Sequence, residues 1–133
     1  MTGIYNLSIA LYVLLIRMVS PFNKKAALWI NGRKDIFKKL QTTFSDNTKP
    51  VVWFHVASLG EFEQARTVIE AFRALYPNHR ILLTFFSPSG YEIRKNYTGA
   101  DDIFYLPADT RKNAQQFLCI TKPELVLFVK YEF

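Results

Sequence analysis

Apolar positions along the chain fall into two regimes that change at Pro50. Before it, residues 4–19 are almost wholly apolar and include the unbroken run Ile9-Ala10-Leu11-Tyr12-Val13-Leu14-Leu15-Ile16, which would clothe every face of a helix. Such a helix belongs in a protein core or in lipid. Sixteen residues reach about 24 Å as a helix, short of the roughly 30 Å hydrocarbon core, so the segment is a marginal span. Trp29, Ile36, Phe37, Leu40 and Phe44 then recur at helical spacing among Lys and Arg. That pattern predicts a basic amphipathic helix over residues 24–44, broken at Asn31-Gly32.

After the polar linker Ser45-Asp46-Asn47-Thr48-Lys49-Pro50, short apolar runs rich in β-branched and aromatic residues occupy 51–56, 81–86, 103–106 and 125–129. Continuous rather than alternating runs suit strands buried on both faces of a parallel sheet. Between them, residues 61–75 carry Phe62, Ala65, Ile69, Phe72 and Tyr76 on one stripe and Glu63, Gln64, Thr67, Glu70 and Arg73 opposite, before Pro77-Asn78 ends the helix. Weaker helices fit 89–97 and 110–120. The alternation predicts a doubly wound α/β domain. Because the chain stops just after the fourth strand, where ligand sites of such folds form, it reads as an N-terminal portion of something longer.

Charge sharpens the division. The net charge is +6; residues 1–49 hold eight Lys and Arg against Asp35 and Asp46, whereas the remainder holds nine of each sign. The absence of Lys or Arg before the apolar run disfavours a cleaved signal peptide. The basic residues after it place the C-terminal side in the cytoplasm by the positive-inside rule. We therefore expect a membrane-anchor helix over 1–22, a basic segment and linker over 23–49 that can lie on an anionic leaflet, and an α/β domain over 50–133. The alternatives are a core helix packed on the domain and a solvated helix covering it. No recognised nucleic-acid motif is present, so no nucleic-acid partner is expected. A lone Cys119 excludes an internal disulfide and argues against a cysteine zinc site. No metal or cofactor is expected.

In open α/β sheets the working groups lie in the turns after strands. The first turn, Val56-Ala57-Ser58-Leu59-Gly60-Glu61, has neither a dinucleotide fingerprint nor a P-loop. It offers a carboxylate beside a glycine at a helix entrance. Glu61 in a first helical turn also complements the helix dipole, a purely structural role that stays open. The second turn, Ser87-Pro88-Ser89-Gly90, offers hydroxyls that can serve as helix caps or ligand contacts. Ser58, Gly60, Ser89 and Gly90 are the candidate substrate-binding positions. His55, among aromatic neighbours, reads as a packed or hydrogen-bonded core group, and Cys119 as packing on an apolar helix face.

The string His55-Val56-Ala57-Ser58-Leu59-Gly60-Glu61 resembles the N-terminal domain of 3-deoxy-D-manno-octulosonic acid (Kdo) transferases. It is followed in order by Ile81-Leu82-Leu83-Thr84, Ser89-Gly90, Leu106-Pro107-Ala108-Asp109 and Lys122-Pro123-Glu124-Leu125. The resemblance covers about residues 50–133, and its most specific piece is His-x-Ala-Ser-x-Gly-Glu. It implies a GT-B architecture of two Rossmann-like domains, of which this chain would supply the acceptor-side one and lack the C-terminal donor domain. It further implies inverting transfer of Kdo from CMP-Kdo to a lipid A precursor at the cytoplasmic face of the inner membrane, in lipopolysaccharide biosynthesis. The family's catalytic carboxylate falls on Glu61, and a second family glutamate falls on Glu132 as a substrate contact. Lys130 stands where the first glutamate of the family's Glu-x-Glu pair is usual. Another membrane-bound GT-B glycosyltransferase, or a non-enzymatic membrane-anchored α/β binding module, are the alternatives.

Overall fold

The computed structural model describes residues 1–130. The described residues form two compact units, one of residues 1–45 with 106–121, the other of 46–105 with 122–130.

The first unit is helical: α1 Thr2–Val19, α2 Lys24–Gly32, α3 Ile36–Phe44 and, much later in sequence, α6 Arg111–Thr121. The Asn23 side chain caps α2, its Oδ1 accepting from the backbone N–H groups of Lys25 at 2.9 Å and Ala26 at 3.2 Å. The predicted break is present, but the turn that makes it lies just past Gly32, at Arg33–Asp35, with Asp35 left-handed at φ 55°. The Arg33 guanidinium sets that position. It donates to Leu106 O at 2.8 Å and Trp29 O at 3.2 Å, and lies 3.7 Å above the Trp29 ring, against which Tyr12 packs edge-on. Beyond it Ile36, Leu40 and Phe44 are buried at i, i+4 and i+8, while Lys38 and Lys39 point to solvent. Helix α3 packs on α6, whose buried residues are Phe117 and Thr121. Cys119 is exposed, which corrects its reading as packing: two positions after Phe117 it has turned about 200° from the buried side.

The second unit is a four-stranded parallel sheet in the order β3-β2-β1-β4, from β1 Val51–Val56, β2 Arg80–Phe85, β3 Asp102–Tyr105 and β4 Pro123–Val129. Strand pleating sends Val52, Phe54, Val56, Ile81, Leu83 and Phe85 to one face, where they form a core with Phe62, Ala65 and Ile69 of α4 (Leu59–Leu75). The other face carries Trp53, His55, Leu82 and Thr84, in register with Val126 and Phe128 of β4. Helix α5 (Pro88–Arg94) follows β2 and stops three residues before the predicted end. The cause is Tyr97: its ring packs edge-on against Phe62, 5.0 Å between centroids, so the chain turns inward instead of continuing the helix. Strand β3 begins at Asp102, whose carboxylate takes a two-pronged bond from Arg80 of β2, Nε to Oδ2 at 2.6 Å and NH2 to Oδ1 at 3.0 Å. The acidic partner holds the Arg80 pKa above its ordinary value, mainly through that hydrogen bond and against the opposing effect of burial. Strand β4 is an edge of the described sheet, with Leu125, Val126 and Phe128 exposed.

Candidate functional site

At the C-terminal end of the sheet, the β1 and β2 ladder continues into the loops: Phe86 N donates to Val56 O at 3.2 Å and Ser87 N to Ala57 O at 2.9 Å. This ties the turn that starts α4 to the turn that starts α5. Ser58 is extended (φ −139°, ψ 173°) and is the N-cap of α4. Its Oγ accepts from Glu61 N at 3.5 Å, while Glu61 Oε2 accepts from Ala57 N at 2.5 Å. Serine followed three residues later by glutamate is the capping-box spacing, here reaching back one residue further than the cap itself. The box holds the Glu61 carboxylate half-buried at the strand end in one orientation.

Gly90 is buried, and its lack of a side chain brings α5 against α4. A Cβ there would lie 2.6 Å from Phe85 Cδ1 and 3.1 Å from Leu59 N. With the Phe85 ring itself fully buried, there is no cheap way to make that room. Gly90 thus has a packing reason to be glycine. Gly60 and Ser89 are exposed, and the Ser89 hydroxyl pairs with that of Ser87 at 2.9 Å. The structure therefore gathers Ser58, Glu61 and Gly90 around the first turn of α4, and turns Gly60 and Ser89 outward. Glu132 lies outside the described residues.

Behind this turn sits a polar group that the hydrophobic pattern hid. Thr84, fully buried mid-strand, accepts through Oγ1 from Trp53 Nε1 at 2.8 Å and bonds His55 Nδ1 at 2.8 Å. Indole nitrogen can only donate, so the Thr84 hydroxyl proton can be directed to His55. His55 also packs edge-on against Phe128, 5.3 Å between centroids. A lone threonine inside the apolar run 81–86 was the available signal. Its partners became evident only with the β1–β2 register. Among the described residues no group of three or more His, Cys, Asp or Glu could hold a metal ion.

The arrangement is a fixed carboxylate at the mouth of a parallel sheet, backed by a serine cap and a glycine-sealed neighbouring turn. Comparison with known proteins shows the family of the chain that carries it. The 3-deoxy-D-manno-octulosonic acid transferase of Aquifex aeolicus is 36% identical over 88 residues, covering 65% of this chain and 24% of that protein. The enzyme of the same description from Haemophilus influenzae is 31% identical over 83 residues, 61% of this chain and 19% of its own length. The chain thus spans a quarter or less of these relatives. A family model described as 3-deoxy-D-manno-octulosonic-acid transferase (kdotransferase) matches residues 33–133, taking in both turns and every strand of the Rossmann-like sheet, and the chain belongs to that glycosyltransferase family.

Proposed function

We propose that the chain is the acceptor-side, N-terminal part of a GT-B Kdo transferase, with Glu61 as general base and the donor site mostly in a further C-terminal domain. The observation that carries this reading is the oriented Glu61 carboxylate at the strand end, within the family's most specific motif. In a single displacement the acceptor hydroxyl of a lipid A precursor attacks the anomeric carbon of Kdo, its proton passes to the Glu61 carboxylate, and CMP leaves with the bonding electron pair. Ser58 and Gly60 at the same turn, Ser89 and Gly90 at the next, and Glu132 near the chain's end are the proposed substrate contacts. No metal or cofactor has a part in that displacement.

The proposed setting is the cytoplasmic face of the inner membrane, reached through the apolar α1 and the basic residues that follow it. Helix α1 is long and apolar enough to cross a membrane, and none of its residues is fully buried. The domains 1–22, 23–49 and 50–133 then divide the labour between anchor, headgroup contact and chemistry.

The test is transfer of Kdo from CMP-Kdo to lipid A precursor by the full-length protein. Glu61→Gln keeps the size and the capping bond, since glutamine also serves a capping box, and removes only the base. Turnover should fall roughly 10²- to 10⁴-fold with CMP-Kdo binding little changed. Normal turnover would leave Glu61 as a capping residue and nothing more.

A further inference from the structure

The two turns of the candidate site follow β1 and β2, yet the order β3-β2-β1-β4 brings a third strand end to the same mouth. From β1 the chain crosses through α4 to β2 on one side, and it later returns to β4 on the other side of β1. In open parallel sheets, ligands settle outside the carboxyl ends of the two strands at which the connections part. Here those strands are β1 and β4.

Their register locates the residues concerned. Val56 and Val129 are the last pair of the ladder, so Ala57 and Lys130 come next on neighbouring strands about 5 Å apart. Ala57 is the residue whose N–H holds Glu61 Oε2 at 2.5 Å. Lys130 is exposed, and its ammonium rides on a flexible four-carbon stem that can reach from one strand to the next. The carboxylate is thus fixed, and the cation beside it is free to swing. The turns 57–61 and 86–90 contain no Lys or Arg. Among the described residues, Lys130 is therefore the one cation in the turns that leave β1, β2 and β4.

The proposed reaction has a use for such a group. A ulosonic acid carries its carboxylate on the anomeric carbon, the atom that the acceptor hydroxyl attacks. With the base in hydrogen-bond reach of that hydroxyl, and the hydroxyl at near-attack distance from that carbon, the two carboxylates stand within roughly 6 Å of each other. Their repulsion grows as the site closes and water leaves. A cation at the same mouth offsets it. Because the carboxylate stays with the sugar while CMP departs, holding it also orients the reacting carbon throughout the transfer.

We propose that Lys130 binds the sugar carboxylate of the donor and so selects donors whose anomeric carbon bears an acid. This rests on the transfer reaction proposed above and names the residue by which that site tells a sugar acid from a neutral sugar.

The test is steady-state transfer by the full-length protein from CMP-Kdo and from its C1 carboxamide, for the native sequence, Lys130→Gln and Lys130→Arg. Lys130→Gln should lower kcat/KM for CMP-Kdo by roughly 10- to 100-fold, and the native protein should discriminate against the carboxamide by a similar factor that largely vanishes in Lys130→Gln. Lys130→Arg should restore CMP-Kdo to within about fivefold of native. Melting temperature should not move, because the side chain is exposed. Equal discrimination against the carboxamide in the native protein and in Lys130→Gln would overturn the proposal. So would a loss confined to the KM of the lipid A precursor, since Lys130 would then be holding an acceptor phosphate. Glu61→Gln in the same series separates this role from the reaction itself. Loss of turnover there beside native behaviour in Lys130→Gln would refute the role of Lys130 alone, whereas no Kdo transfer by the native full-length protein would refute both.

Discussion

Two stretches of nearly unbroken apolar sequence meet opposite fates in this protein. In β2, Ile81, Leu82, Leu83 and Phe85 are completely buried, whereas in α1 not one residue is fully buried and Leu7 and Met18 are more than 60% exposed. Hydrophobicity is common to both; backbone period separates them. A strand sends successive side chains to opposite faces, so a short run is hidden when both faces of its sheet are covered. A helix spreads the same residues round a cylinder, and one neighbouring layer can cover only a stripe of it. The uncovered remainder is the surface through which membrane association is proposed.

That contrast predicts which substitutions are felt as stability. Phe54→Ala empties a fully buried site in the sheet core and should destabilise the fold by about 3–5 kcal/mol in chemical denaturation. Leu11→Ala, at a side chain 55% exposed, should change stability by no more than about 0.5 kcal/mol and lower vesicle binding instead. A comparable loss of stability at both positions would erase the distinction drawn between the two stretches.

Much of this division was legible in the sequence, and the exceptions have a common cause. Continuous apolar runs marked all four strands, and the helical stripe through Phe62, Ala65 and Ile69 marked α4, because each is a local pattern set by one backbone period. Gly60 and the Glu61 carboxylate likewise marked a helix entrance at the site, two residues later than Leu59, where the Ser58 cap starts α4. What escaped was decided between distant residues. The early end of α5 depends on Tyr97 reaching Phe62, and the buried Thr84 is satisfied only because register sets it beside Trp53 and His55. In the first unit, a cleft lined by Arg17, Arg33, Lys34 and Lys38 also takes in Pro107 and Asn113, more than seventy residues from Arg33, so the charge run alone did not reveal its concave shape.

Charge pairing sharpens the comparison at the next level. Asp102→Asn would keep the shape but strip the charge from the bond with Arg80, whose side chain is 20% exposed, and should destabilise the sheet by about 1.5–3 kcal/mol. The first unit's cations, exposed on α3, should tolerate single neutralisation with little change. Lys39→Gln should fall within about 0.5 kcal/mol, measured in the same denaturation series.

Gly90→Ala tests the joint between the two site turns. The added methyl meets the buried Phe85 ring and the Leu59 backbone, and should destabilise the fold by about 1–3 kcal/mol. Unchanged stability would show that the turns can part without loss, and would remove the packing reason for a glycine there.

The smallest expected effect is in alkali, and it falls on the sheet unit. Burial raises the Tyr91 pKa above the ordinary value of 10.0, with the nearby Glu92 charge adding to it. The folded chain therefore holds that proton more tightly than the unfolded one. Its contribution to stability is complete below the unfolded pKa near 10 and is lost as the pH rises through the folded value. Denaturation midpoints measured from pH 8 to 11 should be flat at first and then fall, and the fall should be shallower in Tyr91→Phe.

The central claim is that Glu61 does two things at one place, closing the α4 cap and taking the acceptor's proton. The direct measurement is turnover with CMP-Kdo and lipid A precursor for Glu61→Gln beside Glu61→Ala, in the full-length protein, with melting temperature read on the same samples. The account predicts turnover reduced by roughly 10²-fold or more in both, with only Glu61→Ala losing the capping contribution of about 0.5–2 kcal/mol. Near-normal turnover in Glu61→Gln, with loss confined to the less stable Glu61→Ala, would contradict it and leave the carboxylate a purely structural part of the fold.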